Sequence, residues 1–409
     1  MRRGPGWCRY SSAPGTETPL TANMDLNRVT SVTTSFDWQV ALVSDQAAAN
    51  LIPALDEELK PRKVLLVQSE LMRDRADALA AVLRRRGLPS ERLAVADPYD
   101  LDQLTKEFLV WLEAHRDETI TLNVTGGTKP MALASMAAFE MMGWAEQRLY
   151  LNHENGRLSF LGGQRAARPA NTKLTIAEYL SAYGVTLEPV ARRPSLTLAQ
   201  RQACDKMIDN VAILGTAVGL VNDLAARAFA SAKLEVEVDP SFAIPPLFED
   251  LVDELDRAKV MRRTVGGYAF ADDLARAFAN GAWLEYYAYA LAAEIGADEI
   301  VANAEIRHPS GSKNEVDLLL MFGNRLFVIE CKTSNLARVR ADGDVGAAGA
   351  MYKVNSILPI GGLNTRGMLI SYRELSPADR TRAKDLGLTV VKGDQLKTLR
   401  AQIEGWIKR

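Results

Sequence analysis

Cysteine, histidine and surplus charge are what this sequence has least of, and each shortage removes a class of function. The three cysteines, Cys8, Cys204 and Cys331, are odd in number and far apart. That pattern excludes a disulfide framework and a thiolate metal cluster, and it fits a reducing, cytoplasmic setting. The three histidines, His115, His153 and His308, are too few for a histidine-built metal centre, so any metal falls to carboxylates. Lysine plus arginine number 49 against 51 aspartate plus glutamate, a net charge of -2. This balance excludes a generally basic nucleic-acid coat but leaves room for a local basic groove. No apolar run approaches the length of a membrane span. The first thirty-odd residues have no signal-peptide-like apolar stretch and are rich in Gly, Pro, Ser and Thr. Residues 1–35 therefore read as a disordered extension, with Met24 as an alternative start.

What is present is a chain of 409 residues, enough for two or three domains. From Gln39 to Phe160, short apolar runs alternate with helical stretches. QVALVS (39–44), KVLLVQ (63–68), ERLAVA and TITLNV (119–124) read as strands. Helices lie between them, one carrying Leu104, Phe108, Trp111 and Leu112, and RLYLN with RLSFL reads as a hairpin. Apolar strands alternating with helices predict a parallel, doubly wound sheet, assigned to 36–165. Residues 166–278 read as a linker, containing RPANTK and ARRPS, followed by a helical connector. Its helix, hairpin around Gly266–Gly267 and helix suit either a winged-helix-like module or a plain helical spacer. Residues 279–409 read as a third, mixed α/β region. Its features are an amphipathic helix ended by Gly296, the strands EVDLLLMF and RLFVIECKT joined by Gly323–Asn324, a helix at AMYKVNSIL, and strands at GMLISY and TVVKG.

Strand alternation sends Glu330 and Lys332 to one face and Cys331 to the other, and hairpin pairing brings Asp317 beside Glu330. Carboxylates converging in an apolar sheet need partners or a cation. Hard divalent ions take oxygen ligands, polarise phosphoryl oxygens and lower the pKa of water. Glu285, on the preceding helix, is a further ligand candidate. Glu315 is another, because alternation points it the same way as Asp317, and Asn314 flanks the site. The same pattern is also what a structural salt bridge from Lys332 to Glu330 or Asp317 would leave.

A second polar constellation lies in the first region. Ser44, Gln46 and Asn50 follow the first strand, and Thr125, Gly126, Gly127, Thr128 and Lys129 follow the fourth. Open α/β sheets bind ligands at these strand ends, where glycines and a helix N-terminus admit a phosphate. A tight turn with Thr128 as helix cap and Pro130 in the first turn explains the same residues.

Glu285 in GAWLEYY, Asp317 in NEVD and Glu330-Cys331-Lys332 together resemble the PD-(D/E)xK restriction-endonuclease-like superfamily, with Val316 in place of its proline. Added to SDQ…N and TGGTKPM, and extending through MYK to the arginines near Arg380 and Arg382, the sequence resembles CRISPR-associated Rossmann-fold (CARF) nucleases of type III systems. The resemblance implies a CARF sensor, a connector and a nuclease domain. It implies a homodimer binding a cyclic oligoadenylate, usually cyclic tetra-adenylate, and cleaving RNA or DNA once activated, in antiviral defence. Ser44, Gln46, Asn50, Ser69 and Thr125 to Lys129 would line the ring site, with His153 a weaker candidate. Glu285, Asp317 and Glu330 would hold Mn2+ or Mg2+, with Lys332 beside them as the fourth catalytic residue. A non-catalytic regulator using a DNA-binding middle region, or an unregulated restriction or repair nuclease, are the competing expectations.

Overall fold

The computed structural model describes residues 35–189, 193–239, 241, 243–333, 346–362 and 364–408. The extension expected over 1–35 thus falls almost wholly outside the described residues. The first region builds β1 (Trp38–Leu42), α1 (Ala47–Ala54), β2 (Lys63–Gln68), α2 (Arg73–Arg85), β3 (Ser90–Ala94), α3 (Leu101–Ala114), β4 (Ile120–Asn123), α4 (Lys129–Met141), β5 (Arg148–Asn152), β6 (Arg157–Leu161) and β7 (Arg168–Pro169). The sheet runs β3-β2-β1-β4-β5-β6-β7. Its first five strands are parallel, and β5–β6 is the expected antiparallel hairpin. Alternation along β1 sorts the two faces: Val40 and Leu42 pack with α3 and α4, whereas Ala41 and Val43 pack with α1 and α2.

The stretch read as linker holds more order than its composition suggests. It contains α5 (Ile176–Ala182) and β8 (Thr186–Leu187). A reciprocal capping box, Thr175 with Glu178, starts α5. The connector builds α6 (Leu198–Asp209), α7 (Val211–Ala230), β9 (Glu235–Glu237), α8 (Phe248–Arg257), β10 (Met261–Thr264), β11 (Gly267–Phe270) and α9 (Asp273–Ala277). Its three antiparallel strands, in the order β10-β11-β9, form a wing, which favours the winged-helix-like description over a plain spacer. Helix α7 is long and apolar enough to span a membrane, contrary to the sequence reading. Half of it is buried, however, with Leu214, Val218, Val221 and Leu224 inside the protein core.

The last region builds α10 (Trp283–Ile295), β12 (Glu299–Arg307), β13 (Lys313–Phe322), β14 (Arg325–Lys332), α11 (Gly346–Ile357), β15 (Arg366–Ser371), α12 (Pro377–Asp385), β16 (Thr389–Lys392) and α13 (Leu399–Ile407). The sheet order is β16-β15-β14-β13-β12-β8. The hairpin turns through Gly323 and Asn324 with φ of 57° and 59°, the geometry that dipeptide favours. One face of this sheet packs on α7, α10 and α13. The other packs on α11 and shares a continuous apolar cluster with α5, α1 and α2 of the first region.

Asp56, just after α1, ties the first region to β7. Its side chain is fully buried and accepts hydrogen bonds from Arg168 (2.9 Å) and from the Asn171 (2.6 Å) and Leu59 (3.1 Å) amides. Burial pushes its pKa up, but the bonds from Arg168 and Asn171 outweigh that and hold it below the ordinary value of 3.8. A depressed carboxyl pKa stabilises the fold above the unfolded value and loses that effect as pH falls through the folded one. Asp56→Ala should therefore lower stability by about 3 to 5 kcal/mol at neutral pH, the cost of stranding one partner of a buried pair. Thermal unfolding should show the gap from wild type narrowing only below about pH 4.

Candidate active site and sensor site

The nuclease-like centre sits in a fork between β13 and β14. Pairing of these strands ends at Leu318 with Ile329, one step short of Asp317 and Glu330, while β14 goes on pairing with β15 to Lys332. Across β13, the ladder with β12 skips the position where Asn303 faces Asp317, and Asn303 has a φ of 50°. Alternation slips at this kink: Val316 packs into one apolar cluster and Leu318 into the other. The slip frees the Asp317 carboxylate to turn into the fork. There its Oδ2 accepts the Cys331 amide hydrogen at 2.7 Å, in place of a ladder carbonyl. The same slip explains why Glu315 does not follow Asp317: it is exposed, paired in register with Glu305.

Glu330 is fully buried. Its Oε1 accepts from Lys332 Nζ at 2.8 Å and from Lys353 Nζ at 3.0 Å, and Lys353 stands 3.7 Å from Asp317 Oδ1. Its Oε2 is buried with no hydrogen-bonding partner among the described residues. Burial, then repulsion from Asp317, raises the Glu330 pKa against the pull of Lys332 and Lys353. Lys353, on α11, escaped the sequence reading because it lies far from the ExK strand; the MYK triplet that contains it was the available signal. Burial alone would lower its pKa, yet Glu330 and Asp317 raise it overall.

Glu285 lies in the first turn of α10, which follows the turn Phe278–Ala282, where Gly281 breaks the helix with a φ of 126°, and Asp317 and Glu330 act on its carboxyl electrostatically. Gly281 of that turn lies against the Thr333 hydroxyl, just past Lys332, and Thr333 is hydrogen-bonded to Asn222 of α7 at 2.9 Å. Burial, with Asp317 next, pushes Glu285 up to about 8. Among the described residues, no group of three His, Cys, Asp or Glu side chains is placed to hold a metal ion. Two carboxylates, Asp317 and Glu330, nevertheless share Lys353, and Glu330 Oε2 is left unsatisfied, a donor pair whose chemistry suits a hard cation.

At the other site, Ser44, Asn50 and Gly126 come together. A Cβ at Gly126 would strike the Leu42 carbonyl and stand 3.2 Å from Ser44 Oγ and 3.4 Å from Asn50 Oδ1, so only glycine fits. Asn50 is buried, and neither of its amide atoms has a hydrogen-bonding partner among the described residues. The two threonines are engaged structurally. Thr125 Oγ1 donates to Asn123 Oδ1 and accepts from the Leu151 amide. Thr128 caps α4 at the Met131 amide and donates to the Pro98 carbonyl. What the turn presents is backbone amides, the N-terminus of α4 and Lys129. Ser69 directly follows the neighbouring strand β2, at the N-cap of a short 3-10 turn. Gln46 instead faces Gly362 of the third region, and the His153 carbonyl accepts from Asn364 at 3.4 Å. Burial lowers the His153 pKa.

Residues 39–179 match the Card1 CARF domain family, and residues 272–409 match the Card1-like endonuclease domain family. Among solved structures, the chain is similar to protein VC1899 of Vibrio cholerae, at 24% identity and TM-score 0.81, over 92% of this chain and 98% of that one. It is similar to Can2 of Sulfobacillus thermosulfidooxidans, solved in complex with cyclic tetra-adenylate, at 26% identity and TM-score 0.75, over 91% and 98%. A type III CRISPR defence DNA nuclease activated by cyclic oligoadenylate shares 18% identity and a TM-score of 0.50, over 87% of this chain and 48% of that one. The first and third likenesses bear on fold alone. No curated protein sequence matches.

The raised pKa of Glu285 has a stability consequence. An acid whose folded pKa exceeds its ordinary value of 4.5 stabilises the fold fully below that value, and the contribution is lost as pH rises towards about 8. In chelator, Glu285→Gln should therefore match wild type in thermal unfolding at pH 5 and exceed it at pH 8.5. A difference independent of pH would contradict the placement of Glu285 in the fork.

Proposed function

We propose, for a chain that joins a Card1-type CARF domain to a Card1-like endonuclease domain, a cyclic-oligoadenylate-activated, divalent-metal-dependent nuclease acting in type III CRISPR antiviral defence. The observation that carries this reading is the buried fork of Asp317, Glu330 and Lys332, in the same chain as a phosphate-accommodating turn beside an unsatisfied Asn50.

In the nuclease domain, Asp317 and Glu330 would hold Mn2+ or Mg2+, with Glu285 completing the shell directly or through water. Such a cation, when bound, polarises the scissile phosphate and makes a water molecule more nucleophilic at neutral pH. Lys332 supplies the positive charge beside these carboxylates. Its ammonium, 2.8 Å from Glu330 Oε1, would stabilise the negative charge that builds on a phosphoryl group in transit. Asp317 lies on β13, Glu330 on β14 and Glu285 on α10, so the three acids sit on regular elements rather than on loops.

In the CARF domain, Ser44, Asn50, Ser69, the Gly126–Gly127 turn and Lys129 would take the phosphates and bases of a cyclic oligoadenylate, with Gln46 at the rim. The structure of Can2 in complex with cyclic tetra-adenylate supports that ring as the activator. A symmetric ring suits a two-fold site, to which each copy gives half of the contacts. The exposed Val110 of α3 and Leu133 and Met141 of α4 offer an apolar face for that homodimer. The substrate is RNA, DNA or both. A DNA-binding regulator is disfavoured because Arg263, on the wing, is paired with Glu249 and Asp253. An unregulated nuclease leaves the buried, unsatisfied Asn50 without a role.

Purified protein incubated with single- and double-stranded RNA and DNA in Mn2+ should cleave far faster when cyclic tetra-adenylate is added than at its basal rate. Equal cleavage without the ring would overturn the sensor reading. Lys332→Ala should reduce stimulated cleavage by about 10²- to 10³-fold while ring binding, followed by calorimetry, stays unchanged.

A further inference from the structure

Helix α11 touches the nuclease centre along its length and the sensor at its end. Lys353 lies on α11 and engages Glu330 Oε1 at 3.0 Å and Asp317 Oδ1 at 3.7 Å. Four residues on, the helix ends at Ile357, roughly 6 Å further along its axis at 1.5 Å per residue. The chain then makes a tight turn, Leu358–Gly361, before entering β15.

That turn is held from the sensor side. The Tyr179 hydroxyl donates to the Gly361 carbonyl at 2.6 Å, and the Asn364 side chain donates to the His153 carbonyl at 3.4 Å. Gly362, with a φ of 75°, lies against the Tyr183 hydroxyl and Gln46, where a Cβ would stand 2.8 Å from Gln46 Oε1. Gln46 is the N-cap residue of α1, and the Tyr183 hydroxyl faces the Ala47 and Ala48 amides of the same helix. Met351, Val354 and Ile357 of α11 belong to the apolar cluster that also contains Leu51 and Ile52 of α1. A change at the N-terminus of α1 thus meets, through close-packed contacts, the backbone that ends the helix carrying Lys353. Close-packed interiors answer such pushes by discrete repacking rather than by smooth deformation.

We propose that Lys353 is a positioning residue of the nuclease centre, and that the turn Leu358–Gly361, with Gly362 and Asn364 beyond it, transmits occupancy of the sensor to it. The inference rests on the two-site reading above. In this role Lys353 acts through Glu330 and Asp317 rather than on the substrate. It holds Glu330 and Asp317 at a fixed separation, and a shift of the end of α11 changes that hold. Transmission requires the ring to bind one arrangement of the turn more tightly than the other.

The test uses the full-length protein with Mn2+, measuring ring affinity, thermal unfolding, and cleavage with and without cyclic tetra-adenylate. Tyr179→Phe removes the hydroxyl that bonds Gly361 and also engages Tyr183 and Thr365, and Asn364→Ala, at a part-exposed site, tests the turn independently of that buried change. Either variant should bind the ring like wild type and keep basal cleavage, while the ratio of stimulated to basal cleavage falls by about tenfold, within the usual range of coupling. Lys353→Ala should lower kcat with KM unchanged, and Lys353→Arg should restore much of it. A wild-type stimulation ratio in both Tyr179→Phe and Asn364→Ala, or a wild-type kcat in Lys353→Ala, overturns the inference. Absence of stimulation in the wild type overturns the functional reading itself and the inference with it. That outcome is distinct from failure of the inference alone, in which wild type and the turn variants respond equally.

Discussion

The rest of the third region is arranged around two carboxylates placed where an apolar sheet would otherwise close. Glu330 is fully buried among leucines, valines and isoleucines, with Asp317 beside it. Burying one unpaired carboxylate costs several kcal/mol and burying two costs more, because each repels the other. The fold answers with two lysines, one backbone amide and a strand fork. Lys332 is supplied by the same strand two residues on, whereas Lys353 is brought in by α11. The departures from regularity cluster here as well: the left-handed Asn303, the ladder that stops at Leu318, and the helix break at Gly281 before Glu285. Strain kept in this way at one place is expected of a site rather than of a scaffold.

The second dependence is on continuity. The sensor sheet and the nuclease sheet do not meet as two separately closed bodies. They share one apolar cluster through α5, whose Ile176, Tyr179 and Leu180 lie between α1 and α2 on one side and β13, β14 and α11 on the other. The Card1 CARF match ends at residue 179, within that helix. A shared core gives coupling between sites a physical route, because packing cannot change on one side alone.

Much of this was legible in the sequence, for identifiable reasons. The alternation of Glu330, Cys331 and Lys332 follows from the pleat, and the turn at Gly323–Asn324 follows from its need for positive φ; both stand as read. The strand KVLLVQ has its expected limits. Glu315 was misjudged because alternation assumes a regular strand, and β13 slips at Asp317 under a kink imposed by its neighbour. Lys353 was missed because tertiary packing, not spacing, brings it to Glu330. Helix α5 was hidden by its polar surroundings, although Thr175 and Glu178 form the three-residue signature of a capping box. The hydroxyls of Thr125 and Thr128 were weighed as ligand groups, and the fold employs both internally.

In the proposed function, Asp317 and Glu330 are held in the fork to bind a divalent cation, with the lysines offsetting their charge in the meantime. The most direct measurement is Mn2+ binding by electron paramagnetic resonance at neutral pH, on wild type and on Glu330→Gln and Asp317→Asn. A saturable Mn2+ site is expected in the wild type, weakened by more than about tenfold by either substitution, in proteins whose thermal unfolding shows them folded. Wild-type Mn2+ affinity in both variants would contradict it, and would return the fork to the standing of a buried salt bridge.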